Sequence, residues 1–316
     1  MSNEKVLLLG HNSFYGHPLK RLIKSRSDAF YFELPSDIDP STNPKIFTTF
    51  LLDNGVDAII DVGGLSYGIQ GNINYPADLF LDNVRSINSL RIACLSGIKK
   101  YVFYASSCCY PRSIEKPMDP KMLYTGPLEP TNQAYASVKL AGLELCRAIK
   151  KQYGYNYVTL IPSNIYGPWD DFSEKNSHVV GALIRRFAEA FERKYKSISI
   201  WGSGTAKRDF LHVDDLASAT LVVLQNYNGS EPLNVGSGVA VQISEIVSLI
   251  SRLSGFKGDV HYDSSYPDGM PIKVLDSNKL MGLGWRPEVD LESGLCNTLE
   301  WYIDNQNKGD ACSIHS

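Results

Sequence analysis

Tyr135 and Lys139 stand four residues apart in Tyr135-Ala-Ser-Val-Lys139, which runs on into the helical sequence LAGLELCRAIKKQYG. That spacing puts a phenol and an ammonium on one helix face. The cation favours phenolate and is expected to bring the tyrosine pKa down from about 10 toward neutrality. A tyrosine so tuned can deliver or remove a carbonyl-oxygen proton during hydride transfer. Alone, the pattern is common on ordinary helix surfaces. Ser106 adds to it, because it directly follows the strand-like run 100–105 (KYVFYA), at the sheet end where open α/β folds bind ligands. A serine there can hydrogen-bond the same carbonyl oxygen, or simply cap the strand end. A third feature, Gly10-His-Asn-Ser-Phe-Tyr-Gly16, joins the first strand-like run to the first helix. Glycines in such a turn let backbone N–H groups and a helix N-terminus approach a pyrophosphate. Glu33 closes the next strand-like run, where an acidic residue can hold an adenosine ribose 2′-OH and favour NAD over NADP. A solvated loop carboxylate explains Glu33 equally well.

These residues need a scaffold, and the hydrophobic pattern supplies one. Residues 5–10 (KVLLLG) form a short continuous apolar run, as in a strand covered on both faces. Runs 29–34, 57–62, 100–105 and 157–162 read as further strands, and Leu19, Leu22 and Ile23 repeat at helical spacing. Residues 76–96 read as a long helix with Leu79, Val84, Ile87, Leu90 and Ile92 mostly on one side. Strand alternating with helix implies right-handed crossovers and a doubly wound parallel, Rossmann-like sheet. Beyond Tyr166 the texture changes: helices over 178–194 and 213–225, a short strand over 198–201, a return to the sheet at 233–236, then helices over 243–253 and 291–305. The expected architecture is a dinucleotide-binding domain from 1–165 plus 213–238, and a smaller C-terminal α/β substrate lobe from 166–212 plus 239–316. The residues from Asn307 onward are expected to fray.

Composition narrows the class. In 316 residues, 43% are hydrophobic and 21% charged, enough to bury a sizeable core. A net charge of -3 gives no broad attraction to nucleic acid or to an anionic membrane. Cys94, Cys108, Cys109, Cys146, Cys296 and Cys312 show no paired spacing, so neither a disulfide framework nor a zinc site is expected. The start MSNEKVLLLG is too short an apolar run for a signal peptide, and no stretch approaches the roughly 20 apolar residues of a membrane span. A cytoplasmic protein is expected.

The segments SSCCYP, LEPTNQAYASVKLAGLELC, PSNIYGPWDDF, NSHVVGALIRRF, WGSGTAKRDFLHVDDLA, NVGSG, PDGMPIK and LGW resemble the GDP-L-fucose synthases from about Asn74 to the C-terminus. Those enzymes are extended short-chain dehydrogenases acting on GDP-4-keto-6-deoxy-mannose. The resemblance implies Ser106, Tyr135 and Lys139 as a reductase triad, with Cys108 and His178 moving protons at C3 and C5. That chemistry is coherent, since a 4-keto group acidifies both neighbouring carbons and a thiolate and an imidazolium can serve opposite faces. Enolate charge then falls on the oxygen addressed by Ser106 and Tyr135. The implied cofactor is NADP(H), with NAD possible, held by Gly10, Asn12, Ser13, Phe14, Tyr15, Gly16, Glu33, Lys139, Pro162, Asn164, Ile165 and His178. The family usually carries arginine after the turn's histidine and again beyond the second strand, where this chain has Asn12, Leu34 and Ser36. Ser13 also replaces the turn's middle glycine.

For the GDP-sugar, the resemblance implies Asn164, Arg186, Trp201, Arg208, Asp268 and Lys273, arginine being well shaped for diphosphate. Arg185 is expected on a solvated helix face. Asp214 and Asp215 are expected to cap the helix 213–225 rather than bind metal. A homodimer is also implied. Sugar-nucleotide 4,6-dehydratases need a carboxylate pair just after the strand-end serine, where this chain has Ser107 and Cys108. Closer alternatives are a synthase of GDP-L-colitose or an epimerase/reductase of a GDP-deoxyheptose. A non-catalytic dinucleotide-binding regulator would need no proton relay.

Overall fold

Val6, Leu7, Leu8 and Leu9 are all buried, so the first strand has no polar face and must be covered on both sides. A computed structural model of the chain describes residues 4–26, 29–114, 116–266 and 268–306, so the expected frayed terminus and Cys312 lie outside the described residues. Five strands appear first along the chain: β1 (Glu4–Leu9), β2 (Ala29–Glu33), β3 (Ala58–Asp61), β4 (Lys100–Tyr104) and β5 (Asn156–Pro162). With the later strand Leu233–Val235 they make one parallel six-stranded sheet, in the order β2, β1, β3, β4, β5, Leu233–Val235. The crossover helices are α1 (Gly16–Lys24), α2 (Pro44–Asn54), α3 (Ile69–Asn74), α4 (Pro76–Leu95) and α5 (Gln133–Tyr153). The order reverses at β1, and the crevice beyond the ends of β1 and β3 is where such sheets take ligands.

Strand alternation divides the core in two. Val6, Leu8, Ile60, Val102 and Leu160 face α1 and the helix Val213–Asn226, whereas Leu7, Leu9, Ile59, Phe103 and Ile161 face α2, α4 and α5. A third core lies apart, where Val180, Ile184 and Phe187 of α6 (Val179–Glu192) meet Ile246, Ile250, Leu295 and Leu299. Leu280 and Trp285, by contrast, join the core of the central sheet. On α4 the buried face runs through Leu79, Asn83, Ser86, Leu90 and Ala93, while Val84 and Ile87 of the expected stripe are only partly buried. Asn83 accounts for the shift: its amide donates to the carbonyls of Leu65 and Leu79, which satisfies it inside.

The aspartates 214 and 215 differ from expectation. The cap of the helix Val213–Asn226 is His212, whose Nδ1 accepts from the Asp214 amide at 3.3 Å. Asp214 instead pairs with Arg21 at 2.7 Å, and buried Asp215 accepts the amides of Glu288 and Val289. Two unpaired amides in a distant loop outcompete the helix end for that carboxylate.

Candidate active site

At the end of β4 the chain stays extended at Ser106 and then closes one 3-10 turn, Ser107–Cys109. Ser106 Oγ accepts from the Cys108 amide at 3.2 Å, so the serine does cap the strand end and in doing so fixes the next functional residue. The turn sends the two cysteines opposite ways. Cys109 points inward and donates to the Ala136 carbonyl at 3.8 Å, and burial pushes its thiol up to about 12. Cys108 is part-exposed and its sulfur accepts from Asn132 Nδ2 at 3.3 Å and from Lys273 Nζ at 3.6 Å.

Helix α5 seats Tyr135 and Lys139 deep at the same place, with 8% and 4% of their surface exposed. Lys139 Nζ donates to the Tyr104 carbonyl at 3.1 Å and lies 5.7 Å from the centre of the Tyr135 ring. The hydroxyls of Ser66 and Ser106 face the phenol of Tyr135 and favour its ionised form. Its pKa does not fall as the spacing suggested. Burial, and after it the proximity of Cys108, raises it well above the ordinary value, outweighing those hydroxyls. Burial also lowers the Lys139 pKa, against an opposing pull from Asp61. Tyr135 is therefore poised as a phenol, with a proton on the oxygen to give.

His178 forms the N-cap position of α6 but makes no side-chain cap, which leaves its ring free for other partners. Its Nδ1 lies 3.5 Å from Oδ1 of buried Asp170, and its Nε2 lies 3.3 Å from Ser66 Oγ. Burial works against a charged ring, but Asp170, with Asp171 behind it, outweighs burial and raises the pKa above its ordinary value. Lys273 opposes that charge, so the same lysine neighbours both the thiol and the imidazole.

The glycine-rich turn closes tightly against β3. Gly10 has φ 79°, and a Cβ there would sit 2.8 Å from the Gly63 nitrogen. A Cβ at Gly16 would sit 2.1 Å from the Gly10 oxygen. This is a cradle that only bare backbone can form, and it fits a dinucleotide pyrophosphate. Ser13 is compatible with it: its hydroxyl accepts from the Gly16 amide at 3.2 Å. Phe14 and Tyr15 pack into the sheet core, Tyr15 lying 5.8 Å from Tyr104 and electrostatically close to Tyr135, while His17 stacks on Trp169 at 4.8 Å. Glu33 is not a free loop carboxylate. Lys20 Nζ lies at 2.6 Å, His11 Nε2 at 3.4 Å and Lys24 Nζ at 3.7 Å, and the Lys20 contact chiefly holds its pKa below the usual range. Beyond β5, the amide of Asn164 donates to the Asp209 carbonyl at 2.9 Å, Pro162 ends the strand and Ile165 is buried.

The remaining residues gather around a small three-stranded sheet in which Lys273 is paired with Arg208. Arg208 donates to the carbonyls of Met270 at 2.6 Å and Asp268 at 3.0 Å, holding that loop. Asp268 in turn accepts from the amide and hydroxyl of Ser203, each at 2.7 Å. Trp201 is stacked on Tyr266 with ring centres 4.4 Å apart, and the Arg186 guanidinium lies over Trp201 at 5.3 Å. Arg185, expected on a solvated helix face, is instead largely covered, with 18% of its side chain exposed, and pairs with Glu189 one turn on at 3.1 Å. Three residues escaped sequence reasoning: Ser66, Asp170 and Tyr266. The last two sit beside recognised motif residues, so proximity to His178 and Trp201 in folded space, not spacing, marks them.

The family model for the NAD dependent epimerase/dehydratase family matches residues 6–236. The chain belongs to that family. It is 37% identical to the GDP-L-fucose synthase of Escherichia coli strain K12, over 98% of this chain and 99% of that protein. It is 34% identical to the GDP-L-colitose synthase of Yersinia pseudotuberculosis, over 96% of this chain and 99% of the relative. Among solved structures, a GDP-D-glycero-L-gluco-heptose synthase from Campylobacter jejuni, determined in the presence of NADPH, superposes with a TM-score of 0.85 at 25% identity, covering 96% of this chain and 99% of the other. These matches carry the resemblance through the first seventy residues, where motifs alone are sparse.

Proposed function

We propose that the chain is an NADPH-dependent epimerase/reductase that converts GDP-4-keto-6-deoxy-mannose to GDP-L-fucose. The observation that carries this reading is the convergence of Cys108, Lys273 and His178 beside Tyr135, Ser106 and Lys139. A dehydratase, a simple 4-epimerase or a binding protein has no use for a thiol and an imidazolium at the same carbonyl. Cys108 takes a proton from the carbon beside the ketone and His178, held charged by Asp170, returns one to the opposite face. Ser106 and Tyr135 hold the oxygen on which enolate charge accumulates, and Tyr135 gives its proton to that oxygen at the end. NADPH, held by Gly10–Gly16, Glu33, Lys139 and the Pro162–Ile165 segment, supplies the hydride for C4. Lys20 and Lys24 around Glu33 supply positive charge at the ribose end, which supports NADP(H), and the heptose synthase structure with NADPH supports it further.

The lobe built on the third core holds the GDP, with Arg186, Arg208, Trp201, Asn164 and Asp268 as its contacts and the proposed domain boundaries at 165, 213 and 238. Tyr266 covers a face of Trp201, so a base entering there takes the place of that ring. A homodimer is supported by Leu81 and Leu95, 68% and 71% exposed and spaced to share one face of α4. Among the described residues no helix is long and apolar enough to cross a membrane, and a cytoplasmic site of action fits the substrate. The similarity to a colitose synthase favours one second reading, turnover of GDP-4-keto-3,6-dideoxy-mannose. Incubation with each GDP-4-keto sugar and NADPH in deuterated water separates them. GDP-L-fucose labelled at C3 and C5 is expected, and turnover of only the dideoxy or heptose compound overturns the assignment.

A further inference from the structure

Trp169 carries a left-handed backbone, φ 67°, which a bulky residue seldom adopts unless its surroundings hold it there. What holds it is aromatic. Its ring stacks on His17, with centres 4.8 Å apart and planes 15° from parallel, and lies 5.6 Å from Trp301 of the helix Leu291–Gln306. Trp301 in turn stacks with Phe172, which lies 4.8 Å from Tyr302 of the third core. His17 is the second residue of α1, and its amide donates to the Ser13 carbonyl at 3.2 Å. That end of the stack is therefore fixed to the glycine-rich turn, and Trp169 spans from the cofactor cradle to the third core.

The next residue is Asp170, the partner of His178. Its amide donates to the Gly167 carbonyl at 3.4 Å and closes the turn Gly167–Asp170 around Trp169. Oδ1 of Asp170 accepts from the Asp171 amide at 2.8 Å and faces His178 Nδ1 at 3.5 Å. Oδ2 is buried and has no hydrogen-bond partner among the described residues. The carboxylate is thus aimed by its own short turn, and the anchor of that turn is the Trp169 ring. At 3.5 Å the pair stands at the limit of hydrogen-bond reach, so a shift of about 0.3 Å decides whether the two engage. We propose that Trp169 is a positioning residue for the epimerisation acid: stacked on His17, it holds the turn that aims Asp170 at His178, and so ties that acid to the helix that carries the cofactor cradle. The charged groups facing the His178 ring are Asp170 and Asp171, which favour the imidazolium, and Lys273, which opposes it. Lys20 and His11 face His17. Trp169 acts through Asp170 and needs no contact with substrate. The proposal rests on the role given above to His178.

Two measurements test it. In the protein without added cofactor, NMR titration of the His178 ring is compared in wild type, His17→Ala, Trp169→Gly and the double variant. Each single variant is expected to lower the His178 midpoint by about 0.5 pH unit, and the double variant by no more than either alone. Glycine tolerates the left-handed backbone, so the effect of Trp169→Gly belongs to the lost ring. His17→Phe and Trp169→Phe keep a ring to stack and are expected to restore the wild-type midpoint, although His17→Phe removes the titrating group. No shift in His17→Ala, or shifts that add in the double variant, overturns the coupling. Should the Trp169 variants fail to fold, His17→Ala and His17→Phe decide it by themselves, and equal midpoints in those two overturn it. With a GDP-4-keto sugar in deuterated water, the basic limb of exchange at C3 and C5 is expected to move to lower pH in His17→Ala by the same amount. A rate that falls while the limb stays in place assigns the stack to stability alone and overturns the proposal. A wild type inactive on every GDP-4-keto sugar sinks the functional reading instead, and the NMR comparison still decides the coupling.

Discussion

The ammonium of Lys273 lies 3.6 Å from the sulfur of Cys108, although 165 positions separate them in the chain. The short strand Ile272–Lys273 makes the contact possible by pairing with Lys207–Arg208, which anchors the lysine between the substrate lobe and the turn after β4. Replacing it by methionine keeps the length and removes the charge. Lys273→Met is expected to slow solvent-deuterium exchange at C3 and C5 by about 10- to 100-fold while slowing reduction of a pre-epimerised ketone far less. Mass spectrometry of the recovered sugar reads the first rate and NADPH absorbance the second. An equal loss in both would assign Lys273 to substrate binding alone.

Tyr135 holds its proton firmly, because burial raises its pKa and the hydroxyls of Ser66 and Ser106 only partly offset that. The acid is therefore present across the neutral range. Tyr135→Phe is expected to lower kcat for C4 reduction by about 100- to 10,000-fold, with NADPH affinity nearly unchanged by fluorescence titration. A variant as active as wild type would end the reductase assignment.

His178 supplies the pH dependence. Its folded pKa is raised above the ordinary value of about 6.5, so the ring is charged below that value and loses its charge as pH rises through the folded pKa. Stability from the Asp170 contact is therefore fully present below about pH 6.5 and fades above the folded pKa. Asp170→Asn is expected to move the basic limb of the exchange rate to lower pH. The Tm difference from wild type should be larger at pH 6 than at pH 9, and a difference growing with pH would refute the assignment.

Helix α5 is seated on β4 by an absent side chain. A Cβ on Gly142 would lie 2.4 Å from the tip of the buried Phe103 ring, so Gly142→Ala forces ring or helix to move. A cost of about 1–3 kcal/mol is expected, seen as a lower Tm, together with a fall in kcat because Tyr135 and Lys139 ride on the same helix. Adding Phe103→Leu should recover much of both. Recovery of neither would place the damage elsewhere.

The sheet was legible because its strands are continuous apolar runs, and their ends fall within a residue of the expected positions. Helix α2 was not, since its sequence PKIFTTFLLDN is rich in β-branched and aromatic residues and buries only Phe47 and Leu51, one turn apart. Tyr135, Lys139 and Ser106 could be read from spacing, because one helix face and one strand end hold them. The direction of the Tyr135 pKa could not, since burial is a property of the whole fold and overrides the nearby cation. Ser66 and Asp170 lie in irregular loops whose contacts, Leu65 to Asp82 and Ser66 and Asp170 to His178, follow no helix or strand period, so no sequence pattern announces them.

Cofactor choice turns on Glu33 and the cations around it. Lys20 and Lys24 lie one and two turns into α1 and both reach the Glu33 carboxylate. As they stand, the carboxylate neutralises charge that a 2′-phosphate would otherwise meet, yet it is only part-buried and can turn aside. A ribose 2′-OH would donate to the carboxylate directly, whereas a 2′-phosphate would need the lysines released. Glu33→Ala is therefore expected to weaken NADH binding by about tenfold and leave NADPH binding equal or tighter. Lys20→Met should do the reverse. Fluorescence titration of both dinucleotides against both variants reads the four constants, and equal effects on NADH and NADPH in Glu33→Ala would remove this carboxylate from the ribose site.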